Sequence, residues 1–107
     1  MIYELRTYTA MPGKLPALNA RFRDHTVKLF ERHGLRCIGF WTYKHGGSSD
    51  QLVYLMAFED QAARDAAWAA FQADTEWQQV RAASEVEGPL VAHITSDILL
   101  PTDYSPA

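Results

Sequence analysis

The sequence has one cysteine, Cys37, so no disulfide can form within the chain and nothing asks for an oxidising compartment. No apolar run approaches the roughly 20 residues that a membrane-spanning helix needs, so no span is expected. There is no Walker-type phosphate loop, no dinucleotide glycine fingerprint and no GxSxG elbow. "HGGSSD" (His45 to Asp50) has paired glycines, but neither GK[ST] nor a helix follows, and it reads as a turn. Basic residues are also short: 10 Lys and Arg stand against 13 Asp and Glu, for a net charge of −3. Without a basic face, nucleic acid is not an expected partner. No two of the four histidines have a metal-ligand spacing and Cys37 has no CxxC partner, so neither a metal site nor a cofactor is expected. His25 or His93 could serve a haem as axial ligand, but nothing marks either. The chain starts directly on a strand-like segment, with no basic head or signal-type apolar core, and the expected location is cytoplasmic.

What is present fits one domain. The 107 residues are 48% hydrophobic and 21% charged, enough for a small core. "IYELRTYT" (Ile2 to Thr9) is rich in β-branched and aromatic residues and reads as a strand. "MPGK" breaks it. From Lys14 to His33, Leu15, Leu18, Phe22, His25, Leu29 and Phe30 fall on a helical stripe, with Pro16 tolerated in the first turn. Arg21, Arg23, Lys28 and Arg32 are assigned to the solvated outer face. Gly34 can end the helix in the left-handed conformation, letting Leu35 fold back on Phe30.

Arg36 to Lys44 and Gln51 to Phe58 read as a hairpin around the polar turn. Asp60 can cap an alanine-rich helix running to about Phe71. Asp74 to Glu85 looks like a further short helix, ended by Gly88 and Pro89. Leu90 to Leu100 is a fourth strand. Residues 1–101 form the domain, and 102–107 read as an irregular tail. The order β-α-β-β-α-β, with right-handed crossovers, gives a four-stranded antiparallel sheet with helices on one face: an α+β, ferredoxin-like plan.

That plan leaves one sheet face bare, yet both faces are apolar. Simple alternation puts Ile38 and Phe40 on one side of the second strand and Cys37, Trp41 and Tyr43 on the other. The third strand offers Leu52, Tyr54, Met56 and Phe58 on one side and Val53, Leu55 and Ala57 on the other. The fourth sets Ala92, Ile94 and Ile98 against Val91, His93, Thr95 and Leu99. A bare face of this kind exceeds the apolar patch usual on monomers. A second copy is the simplest cover, giving a homodimer through the sheet face, a dimeric α/β barrel. The alternative cover is the C-terminal tail.

In their order and spacing, "YELRTYT", "PGK", "HGLRCIGFWTY", "LVYLMAFED", "AAWAAFQADTEWQQVRAASE" and "LLPTDYS" together resemble the NIPSNAP family over essentially the whole chain. The resemblance implies the same dimeric α/β-barrel fold. The wider fold group includes antibiotic-biosynthesis monooxygenases, haem-dependent dehydratases and small isomerases. Animal NIPSNAP members are mitochondrial and linked to vesicle traffic and mitophagy signalling; the short bacterial members, which this chain resembles, mostly have no assigned activity. The family pattern "ADPEW" has proline where this chain has Thr75, which implies a looser start to the short helix.

Candidate site residues follow from chemistry. His25 sits at the polar break in the apolar stripe and is expected to face the sheet, as a general acid or base or as a core histidine. Glu4 and Arg6 share a strand face with Ile2 and Tyr8. Buried there, they need partners, either each other's copy across the dimer or, for Arg6, a substrate carboxylate. Tyr3, Trp41, Tyr43, Tyr54 and Trp68 could line an apolar pocket with hydroxyl handles. The expected function is binding of a small apolar or aromatic ligand between sheet and helices. A cofactor-independent oxygenase or isomerase using His25 is the second expectation, and a non-catalytic scaffold the third.

Overall fold

The computed structural model describes residues 1–107. The chain runs β1 (Ile2–Ala10), a long helix, β2 (Arg36–Thr42), β3 (Gln51–Phe58), α3 (Gln61–Ala73), α4 (Thr75–Ser84) and β4 (Val91–Leu99). The long helix consists of α1 (Leu15–Arg21), a π-helical turn (Phe22–Thr26) and α2 (Val27–Arg32). The four strands pair antiparallel in the order β2-β3-β1-β4, the ferredoxin-like arrangement. No helix is long and apolar enough to cross a membrane.

The punctuation works as its chemistry dictates. Gly34 takes a φ of 73°, and the Leu35 amide returns to the Phe30 carbonyl at 2.9 Å, so Leu35 lands in the core. The Asp60 carboxylate accepts from the Ala63 amide at 2.8 Å and starts α3. Asp74 does the same for α4 through the Glu76 amide at 2.8 Å, so a capped helix begins at Thr75 without the family's proline. Asp74 also accepts from Arg32 and binds His33, tying α4 to the end of α2.

Ile2, Glu4, Arg6, Tyr8 and Ala10 of β1 face the helices, together with Leu52, Tyr54, Met56 and Phe58 of β3. Leu18, Phe22, Leu29, Phe30, Trp68, Phe71 and Trp77 close over them. The aromatic rings meet mostly edge to face; Phe30 alone contacts Phe22, Tyr54, Trp68 and Phe71.

Two irregularities overturn the simple alternation. The β2–β3 register shifts between Cys37 and Gly39, a bulge that gives Ile38 no partner. Cys37 and Phe40 therefore both pack on the helix side, while Ile38, Trp41 and Tyr43 stand on the bare face, 47%, 52% and 43% exposed. A second shift at Thr9/Ala10 turns Val91 onto the helix side with Ile94, against the expected split. The bare face is apolar as expected. The tail reaches only one end of it, where Tyr3, Leu55 and Leu99 meet Pro101, Thr102 and Ser105. β2 stops at Thr42, short of the expected Lys44.

Candidate functional site: a cavity beside a buried charge network

Glu4 is the only fully buried carboxylate, at 0% exposure. Alternation along β1 aims it at the helices, and four side chains converge on it. Arg64 donates from Nε to Oε1 (3.0 Å) and from Nη2 to Oε2 (2.9 Å), a two-pronged contact. Trp68 Nε1 donates to Oε1 at 2.9 Å, Ser96 Oγ to Oε2 at 2.6 Å and Arg6 Nη1 to Oε2 at 2.8 Å. Burial alone would raise this carboxyl. The donors outweigh it and hold the group at about 2.

Arg6 spends all three guanidinium nitrogens inside the protein. Beyond Glu4, its Nε donates to the Tyr54 hydroxyl at 3.0 Å and its Nη2 to the Tyr8 hydroxyl at 3.3 Å. Its flat face lies 4.3 Å from the centre of the Trp68 ring. Burial works against the charge, but the two phenols and Glu4 more than offset it and hold Arg6 firmly cationic. Tyr54 donates to the Tyr8 oxygen at 2.9 Å, and burial pushes the Tyr54 phenol well above its ordinary range. The expected pairing of Glu4 and Arg6 across a dimer is thus replaced by pairing within the chain. Their face of β1 is the helix face, and Arg64, one turn into α3, lies above it.

Beside this network lies a cavity of about 160 Å³. Arg6 and Tyr8 form its floor, Phe22, Phe30, Trp68, Phe71 and Trp77 its aromatic wall, and Arg81, Glu85 and Pro89 its rim. Arg21 also lines it, and is only 7% exposed. This corrects the expected solvated position. Arg21 follows Leu18 by three residues and adjoins Phe22, which places it at the edge of the apolar stripe.

The expected site residues divide. Arg6 and Trp68 line the cavity, and Tyr54 sits behind it, reaching it only through Arg6 and Tyr8. Tyr3, Trp41 and Tyr43 lie on the opposite face of the sheet and cannot contribute. His25 is exposed, on a shallow surface with Asp24 and Gln79, and does not face the sheet. The wide π turn is the cause: it carries the inward position from Phe22 to Thr26, whose hydroxyl donates to the Arg21 carbonyl at 3.3 Å. Acid–base chemistry in this cavity therefore cannot fall on His25. His93 is exposed on β4, and no group of three His, Cys, Asp or Glu side chains converges.

The NIPSNAP family model matches residues 3–106. The chain belongs to the NIPSNAP family. It is similar to an uncharacterized NIPSNAP domain protein from Burkholderia xenovorans, with 27% identity, all of both chains covered and a TM-score of 0.86. A NIPSNAP family protein from Agrobacterium tumefaciens is 25% identical over 98% of this chain and 96% of the other, with a TM-score of 0.86. The mouse protein NipSnap homolog 3B is 32% identical over 77 residues, 72% of this chain. That match spans 30% of the mouse protein's length. An antibiotic biosynthesis monooxygenase shares the fold at a TM-score of 0.62 with 13% identity, over 95% of this chain and 99% of that one. In this NIPSNAP chain the buried Glu4 network and the cavity beside it are the parts with chemistry to offer.

Proposed function

We propose that this NIPSNAP chain binds a small aromatic or apolar molecule in the cavity between helices and sheet, and does so as a homodimer joined through the bare sheet face. The observation that carries the reading is the cavity itself, about 160 Å³ of space walled by aromatic rings beside a fixed polar floor. An apolar cavity of about 150 Å³ holds one benzene ring, so the size suits a single ring with a small substituent. The rigid, internally satisfied Arg6 network supports a preformed site, which keeps the ordering cost of binding low. The dimer is supported by Ile38, Trp41, Tyr43 and Leu99, all large apolar side chains left exposed on one face. Burying each is worth roughly 1.5–3 kcal/mol.

Tryptophan fluorescence tests the ligand reading, because Trp68 and Trp77 line the cavity. Titration with benzyl alcohol and toluene should shift their emission saturably. Val91→Phe, which fills the space, should remove the response. Emission unmoved by either probe at millimolar concentration would overturn the proposal.

A further inference from the structure

Two donors at the cavity, one on Tyr8 and one on Arg21, have no acceptor within the protein. Tyr54 accepts from Arg6 Nε, so in its buried place it gives its own proton to Tyr8. Tyr8 then accepts from both Tyr54 and Arg6, and its hydroxyl proton has no acceptor in the protein. The second donor is Arg21. Its Nη1 reaches Ser84 Oγ at 3.1 Å, but its buried Nε has no partner at all. No carboxylate bonds it; the nearby Glu85 is taken by Arg81 at 3.1 Å. Charges elsewhere on these walls cancel. Arg6 and Arg64 are met by Glu4 and Asp65, and Arg81 by Glu85. Arg21 is the remaining positive charge, stacked 5.3 Å over Trp77 and largely buried. A buried, uncompensated guanidinium is costly, and an anion is what removes the cost.

Resting on the reading that this cavity takes a small aromatic molecule, we propose that its ligand is a monocyclic aromatic carboxylate. The ring lies among Phe22, Phe30, Trp68 and Trp77. The carboxylate accepts from Arg21 Nε and from the Tyr8 hydroxyl. Both donors line the one cavity, and both lack an acceptor that the protein itself could supply.

Isothermal titration of the full chain with benzoate, benzyl alcohol and acetate tests this. Benzoate should bind more tightly than benzyl alcohol by about tenfold or more, the worth of a hydrogen bond to a charged group. Arg21→Met, which keeps the side chain's length, should erase that preference, so that benzoate and benzyl alcohol bind alike. Equal affinity for benzoate and benzyl alcohol in the parent chain sinks the carboxylate proposal while the aromatic site stands. Absence of binding by either sinks both. Acetate binding as tightly as benzoate would also overturn the proposal, since the ring would then add nothing. Should Arg21→Met fail to fold, the comparison of the three probes on the parent chain still decides.

Discussion

Replacing Glu4 by glutamine probes the centre of the fold with almost no change in shape. The carboxyl is held at about 2 against an ordinary 4.5. At about 1.36 kcal/mol for each tenfold change in its dissociation constant, that carries on the order of 3 kcal/mol of folding free energy. The sign is that of a depressed acid. The contribution is full above pH 4.5 and is lost as pH falls through about 2. Glutamine leaves Arg6 and Arg64 sharing a neutral oxygen, and breaking a buried pair in this way costs about 3–5 kcal/mol. Glu4→Gln should therefore be less stable at pH 7 by about 3 kcal/mol, a fall of roughly 10–20 °C in melting temperature for a domain of this size. The assay is urea unfolding at fixed protein concentration, followed by circular dichroism, from pH 7 to pH 2. The two curves should converge as the parent's carboxyl protonates. A difference below about 1 kcal/mol at pH 7, or one that stays constant to pH 2, refutes the reasoning.

Asp74 is held at about 2 by the His33 and Arg32 contacts and the Glu76 amide. Asp74→Asn should lower the melting temperature at neutral pH, with the deficit fading as pH drops below 3.8 toward 2. The Cys37 thiol is pushed up to about 12 by burial, so it should react with a disulfide reagent orders of magnitude more slowly in the folded chain than in urea. Phe30→Ala removes a ring that touches four others and should cost about 3–5 kcal/mol. Sedimentation equilibrium at micromolar concentration should report twice the 12.1 kDa chain mass, and Trp41→Lys should return it to the single-chain value. A parent chain that sediments at 12.1 kDa would refute the proposed dimer.

Element order and most boundaries were readable because local chemistry decides them. Gly34, Asp60 and Pro89 act within a turn of their own position. The apolar character of both sheet faces was readable too, since it needs only period two. Which residues stand on which face was not. One extra residue at Ile38 exchanges the faces of everything beyond it, and no composition signal marks a bulge. The same holds in the long helix, where a five-residue π turn substitutes Thr26 for His25 at the inward position. The pocket-forming aromatics divided because a strand residue's side is decided by register, so Trp41 of β2 faces away from the helix layer that carries Trp68. The Glu4 network was half visible. A carboxylate and a guanidinium alternating with Ile2 and Tyr8 announce a buried pair, but Arg64, Trp68 and Ser96 come from 60 to 92 residues away. Arg21 could have been found from its spacing to Leu18 and Phe22 alone.

The π turn also makes the long helix two instruments on one shaft. A π turn takes up one extra residue within a helix, so losing one residue there would restore ordinary winding and leave both halves facing as they do. Leu29 and Phe30 would keep their seats in the core and Arg21 its place on the cavity wall. The turn is thus the place where the chain can lose one residue while neither the cation nor the core moves, and no strand of the sheet is altered.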